Sequence, residues 1–207
     1  MRILYLHGFA SGPGSSKAQW FRRCFADKGV ALEIPDLVPG PFEELTISGQ
    51  LEVLERAAGG EPVALIGSSM GGYLAALYAS RHDEVRKLVL LAPAFGFPRR
   101  WLQELGEQEA SKWQETGYLE VFHYGEGRTR QVGWGLMEDA LLHDAEPSFA
   151  QPALLFHGTE DAVVLAEHSQ SFAGRHPNVE LFMLHSDHQL TDSTQFIWDR
   201  MSAFLGV

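Results

Sequence analysis

The chain has 207 residues and one cysteine, Cys24, which excludes an intrachain disulfide and suits a reducing compartment. A formal net charge of −11, from 27 acidic and 16 basic residues, argues against a nucleic-acid or anionic-membrane partner, since both need a basic patch. No apolar run approaches the length of a membrane span and MRILYLHGF reads as a strand rather than a secretory leader, so one cytoplasmic domain over 1–207 is expected.

Residues 2–6 (RILYL) read as a first strand, followed at once by the loop HGFASGPGSS. Ser15 or Ser16 is placed to cap a helix from Lys17 to Lys28, ended by Gly29, on which Cys24 reads as a small buried hydrophobe beside Trp20 and Phe21. Residues 30–34 (VALEI) read as a second strand closed by Pro35, DLVPGPF as a loop, and 43–58 as a helix stopped by Gly59-Gly60. Val63-Ala64-Leu65-Ile66 has the length and character of a strand buried on both faces. Gly67-Ser68-Ser69-Met70-Gly71 follows, then a helical pattern with Leu74, Leu77 and Tyr78 on one face. A fourth strand, 87–92 (KLVLLA), ends at Pro93.

Residues 94–150 break this rhythm. They are rich in aromatics, with a helix expected over 99–114, a hairpin in LEVFHY-GEGR-TRQV and a further helix over 136–144. The segment reads as a small cap inserted over the site edge. A fifth strand, 153–156, leads to His157-Gly158-Thr159-Glu160-Asp161; a helix at 165–173, a sixth strand at 179–184, the loop 185–188 and an amphipathic helix at 193–205 complete the chain.

Strands alternating with helices at this spacing predict a parallel α/β sheet with helices on both faces, and sites in such sheets lie at the carboxyl ends of the strands. The loops after the first, third, fifth and sixth strands carry His7-Gly8-Phe9, Ser69, Asp161 and His188, so all four are expected on one edge. Gly67-x-Ser69-x-Gly71 between a strand and a helix is the pattern of a sharp turn that exposes a nucleophile. A serine hydroxyl needs a base within hydrogen-bond reach and a third group to orient that base. Ser69, Asp161 and His188 stand in the chain order expected for this kind of sheet, as nucleophile, orienting acid and general base. Backbone N–H groups of Met70 and Phe9 are the expected oxyanion donors.

Each role has rivals: Glu160 and Asp187 for the acid, His185 for the base. His7 and His157, each before a glycine, are expected to make structural hydrogen bonds, Ser11 to stabilise a turn, and Ser68 to face packing. No H-E-x-x-H pattern or cysteine pair supports a metal site. Trp101, Phe122 and Trp134 are candidates for an apolar substrate-binding wall.

YLHGFASGPGSSKA, IGSSMGGYLA, HGTEDAVV and SDHQL together make the chain resemble an α/β-hydrolase, and within that fold the small YqiA-like bacterial esterases. The resemblance covers most of the chain, matches loosely over 94–150, and implies a reduced sheet of about six strands with a small cap insertion. It further implies serine-dependent hydrolysis of small-molecule carboxylic esters or thioesters with no cofactor. Acyltransfer or C–C bond hydrolysis on the same triad, or ligand binding without turnover, remain alternatives, and the oligomeric state stays open.

Overall fold

A computed structural model describes residues 1–207. In β1 (Arg2–Leu6) successive side chains go to opposite sides: Ile3 and Tyr5 enter one apolar cluster, Leu4 and Leu6 the other. The same division runs through the neighbouring strands, with Ala64, Ile66, Val89 and Leu91 on one face and Leu65, Leu88 and Leu90 on the other. A sheet with two apolar faces must be covered twice. Phe21 and Phe25 of α1 (Ser16–Asp27) and Ile197, Trp198 and Met201 of α7 (Thr194–Leu205) cover the first face. The second is covered by α2 (Ile47–Ala58), α3 (Met70–Ala79) and, through Phe172, α6 (Ala166–Arg175). Each fully buried leucine or phenylalanine contributes about 1.5–3 kcal/mol.

The six strands β1, β2 (Leu32–Glu33), β3 (Val63–Ser68), β4 (Val85–Leu91), β7 (Ala153–Gly158) and β8 (Val179–Leu184) pair in parallel, in the order β2-β1-β3-β4-β7-β8. The chain steps outward from β1 to β2 and then returns past β1 to β3. The direction of travel therefore reverses between β1 and β3, and a crevice opens at their carboxyl ends. Between β4 and β7 lie α4 (Phe97–Thr116), the antiparallel hairpin of β5 (Tyr118–His123) and β6 (Arg128–Gly133), and α5 (Gly135–Ala140).

Several boundaries differ from expectation for local reasons. β2 has two residues instead of five, a short edge strand paired only through Ile3–Leu32 and Leu4–Glu33. The helix expected over 43–58 is split: Phe42–Glu44 is a separate 3₁₀ turn, and α2 starts after Thr46, whose Oγ1 accepts the Gly49 N–H at 3.0 Å. Ser15 occupies the N-cap position of α1 without a side-chain cap bond, and Cys24 is half-buried rather than buried. α4 is interrupted at Gly106, whose φ of 75° and ψ of 164° no helix accommodates. α3 is buried at every position, not on one face, because the 94–150 segment covers its outer side, with Tyr73 packed edge-on to Phe97 at 5.6 Å.

Candidate active site

Ser69, the single residue between β3 and α3, has φ +54° and ψ −118°, a conformation that side-chain-bearing residues rarely adopt. It is held there by three N–H groups, of Gly72 (2.9 Å), Tyr73 (3.1 Å) and Ala94 (3.0 Å), all donating to its carbonyl, while its own N–H donates to Leu91 O. The motif glycines are required by proximity. A Cβ on Gly67 would lie 2.3 Å from Gly71 O, and one on Gly71 would lie 2.1 Å from Leu6 O, so β3, α3 and the end of β1 meet where only hydrogen fits. That contact also brings Gly8 beside the serine, its notional Cβ 3.3 Å from Ser69 Cβ.

The β7 and β8 loops converge in the same way. A Cβ on Gly158 would lie 2.3 Å from Ser186 O, and the N–H groups of Thr159 and Glu160 donate across to Leu184 O and Ser186 O. The result is a linear arrangement: His188 Nδ1 lies 2.7 Å from Asp161 Oδ2, and His188 Nε2 lies 3.0 Å from Ser69 Oγ. The carboxylate can only accept, so Nδ1 carries the proton and donates it. Nε2 is then left free to accept from the Ser69 hydroxyl.

Asp161 is deeply held. Oδ1 accepts the N–H groups of Val163 and Val164, each at 2.8 Å, and Oδ2 also lies 3.1 Å from His157 Nε2. Burial alone would raise its pKa, but hydrogen bonds from His157, His188 and the Val164 backbone outweigh that and hold the carboxyl well below the ordinary carboxylate range. Because its pKa is depressed on folding, Asp161 contributes stability that is present above the unfolded-chain value of about 4 and drains away as pH falls below it. The urea midpoint of Asp161→Asn should therefore lie below that of the native protein at pH 7, with the gap narrowing progressively as the pH falls below about 4; a gap independent of pH would contradict this account.

The rivals are placed elsewhere. Glu160 pairs with His185 at 3.2 Å, and the His185 side chain is 87% exposed. Asp187 Oδ1 accepts the N–H groups of Gln189 (2.8 Å) and Leu190 (3.3 Å), which shapes the turn after the histidine. His157 is wholly buried between Ser169 Oγ (2.6 Å) and Val164 O (2.7 Å), behind Asp161. His7 donates from Nδ1 to Gly8 O and accepts the Leu37 N–H at Nε2; burial pushes its pKa down.

The N–H groups of Phe9 and Met70 have no acceptor within the chain; Met70 follows Ser69 at the first position of α3, and Phe9 follows Gly8, whose notional Cβ lies 3.3 Å from Ser69 Cβ. Orphan donors at a helix start beside a serine can stabilise an oxyanion.

Ser69 and His188 open into a cleft of about 1030 Å³ whose apolar wall is Phe9, Val38, Phe42 and Val163, with Tyr124 and Lys17 at other points of the lining. Trp101, Phe122 and Trp134 do not line it, contrary to expectation. Trp101 packs behind Phe9 (5.2 Å between rings) and against Trp113, and Trp134 stands behind Trp113. Phe122 points outward, 52% exposed, because even-numbered residues of β5 face solvent while His123 faces in. Val38 and Phe42, which sequence reasoning left in a featureless loop, follow the carboxyl end of β2 and so obey the same edge rule that located the serine. The hairpin tip closes the rim: Gly125 N–H donates to Ala10 O at 3.2 Å, and Arg130 of β6 reaches Glu43 at 3.1 Å.

Known structures resemble this one over nearly its whole length. A protein of Agrobacterium vitis S4 with a provisional hydrolase assignment is 26% identical, with a TM-score of 0.83, over 98% of this chain and 87% of its own. Mouse alpha/beta hydrolase domain-containing protein 10 is 19% identical with a TM-score of 0.84, over 99% of this chain and 89% of that one. Est1E of Butyrivibrio proteoclasticus is 20% identical with a TM-score of 0.78, over 99% and 88% respectively. The fold is that of the α/β-hydrolases. Residues 2–206 match the model of the uncharacterised protein family UPF0227, and the chain belongs to that family.

Proposed function

We propose that this protein is a serine hydrolase that cleaves carboxylic esters, thioesters included, through an acyl-enzyme. The observation that carries the reading is the relay from Ser69 Oγ to His188 Nε2 at 3.0 Å and from His188 Nδ1 to Asp161 at 2.7 Å. His188 takes the Ser69 proton as Oγ attacks the acyl carbon, and then gives that proton to the departing alkoxide or thiolate. Water repeats the sequence on the acyl-enzyme with His188 again as base. Asp161 keeps the proton on Nδ1 and stabilises the imidazolium formed in each half. The Phe9 and Met70 N–H groups receive the negative charge that develops on the carbonyl oxygen. Phe9, Val38 and Phe42 give the acyl group an apolar wall in the same cleft as the nucleophile.

Incubation with a fluorophosphonate, read by intact mass and peptide mapping, tests this directly. One adduct is expected, on Ser69, and none on Ser69→Ala. Folded protein that takes no adduct would overturn the reading and leave a binding role for the fold.

A further inference from the structure

Lys17 is the only lysine or arginine in the chain that is buried, at 7% exposure. It stands in the first turn of α1 and lines the same cleft as Ser69 and His188. Its Nζ donates to the carbonyl of Gln189, the residue after His188, at 2.7 Å, across 172 positions of sequence. No carboxylate lies within ion-pair distance of it. The carboxylates facing it are Asp187 on the β8 loop and Asp161 on the β7 loop, both already occupied by other donors. The start of its own helix contributes the uncharged Ser15 and Ser16 to the lining, whose other acidic, basic and imidazole groups are Asp36, His123, Glu126, Arg130 and His188. A methionine would fill the space without desolvating a charge, so packing does not explain a lysine here.

The loop it touches has something to hold. Leu190, fully buried, sits at φ +53°, a left-handed conformation that a branched side chain adopts only when its surroundings impose it. We propose that Lys17 is a positioning residue for His188, its ammonium fixing the Gln189 carbonyl and thereby the imbedded turn that aims the imidazole at Ser69. The inference rests on the triad reading of Ser69, His188 and Asp161. An ammonium suits the task because a charge-assisted hydrogen bond to a carbonyl is about twice as strong as a neutral one. Burial pulls the Lys17 pKa down to about 8, with Asp187 and Asp161 opposing, so the charged form gives way to the amine within an accessible range.

The test is the rate of Ser69 phosphonylation by a fluorophosphonate in the native protein, Lys17→Met and Lys17→Arg, from pH 6 to 9.5. Lys17→Met should label roughly 10–100-fold more slowly, since small misplacements of a reacting group are that costly, with an unchanged binding constant for the probe. Lys17→Arg, which can make the same bond, should recover to within about fivefold of the native rate. The native rate should fall as pH rises past about 8, and that fall should be absent in Lys17→Arg, whose guanidinium stays charged. Equal labelling of Lys17→Met and native protein would overturn the proposal, as would a native rate that stays level across pH 8 or a loss confined to the probe's binding constant. Native protein that does not label at all would take down the triad reading itself, and this inference with it.

Discussion

Ser69→Ala should lower kcat on a simple activated ester such as p-nitrophenyl acetate by about 10⁶-fold, the scale on which triads fail when their nucleophile is removed. Ser69 Oγ is the one hydroxyl within hydrogen-bond distance of His188 Nε2, at 3.0 Å, so no neighbouring group can take over the attack. His188→Ala should fall by a similar factor, and the double variant should be no worse than either single one, because the pair acts as a unit. A residue of activity above the uncatalysed rate should survive in all three if, as proposed, the Phe9 and Met70 N–H groups, which these changes leave in place, hold the oxyanion. Ser69→Gly should be equally inactive but more stable than the native protein, by about 1 kcal/mol, because glycine adopts φ +54° freely and serine does not. Steady-state kinetics and urea unfolding check the two halves separately. Ser69→Ala retaining more than about 1% of native kcat would move the nucleophile elsewhere in the cleft.

Gly71→Ala should be the most destructive single methyl in the chain, lowering stability by more than about 3 kcal/mol or preventing folding. The added Cβ would lie 2.1 Å from Leu6 O and 2.6 Å from His7 O. Both are backbone atoms, so no side-chain end can swing aside. Relief requires the first turn of α3 and the end of β1 to separate, and that movement would also carry Gly8 and the proposed donor Phe9 away from Ser69. Any folded fraction should thus lose activity along with stability. Gly12→Ala is the control, since nothing lies within 4 Å of its notional Cβ. A urea midpoint for Gly71→Ala close to that of Gly12→Ala would show that α3 yields more easily than its packing implies.

The sequence by itself determined which residues could do the chemistry and on which edge they would stand. Alternating apolar strands and helices imply a parallel sheet, such sheets carry their sites at the carboxyl ends of the strands, and Ser69, Asp161 and His188 each stand in the turn or loop that follows a strand. These are local facts, carried by periodicity and by glycines at fixed offsets. What the sequence left open was every choice that depends on distance. Asp161, Glu160 and Asp187 are equivalent carboxylates on paper; they differ because Gly158 lets the β7 loop press against Ser186 O, which turns Asp161 toward His188 and leaves Glu160 outside. Trp101, Phe122 and Trp134 looked suited to a substrate wall because composition records aromatics without recording the face of β5 or the depth behind Phe9 on which they fall. Lys17 carried no signal at all, since its bond to Gln189 spans 172 residues and no local pattern encodes a contact of that length. Periodicity is written residue by residue and can be read along the chain, whereas the partner of a buried charge is decided only when the sheet brings the first helix and the last loop together.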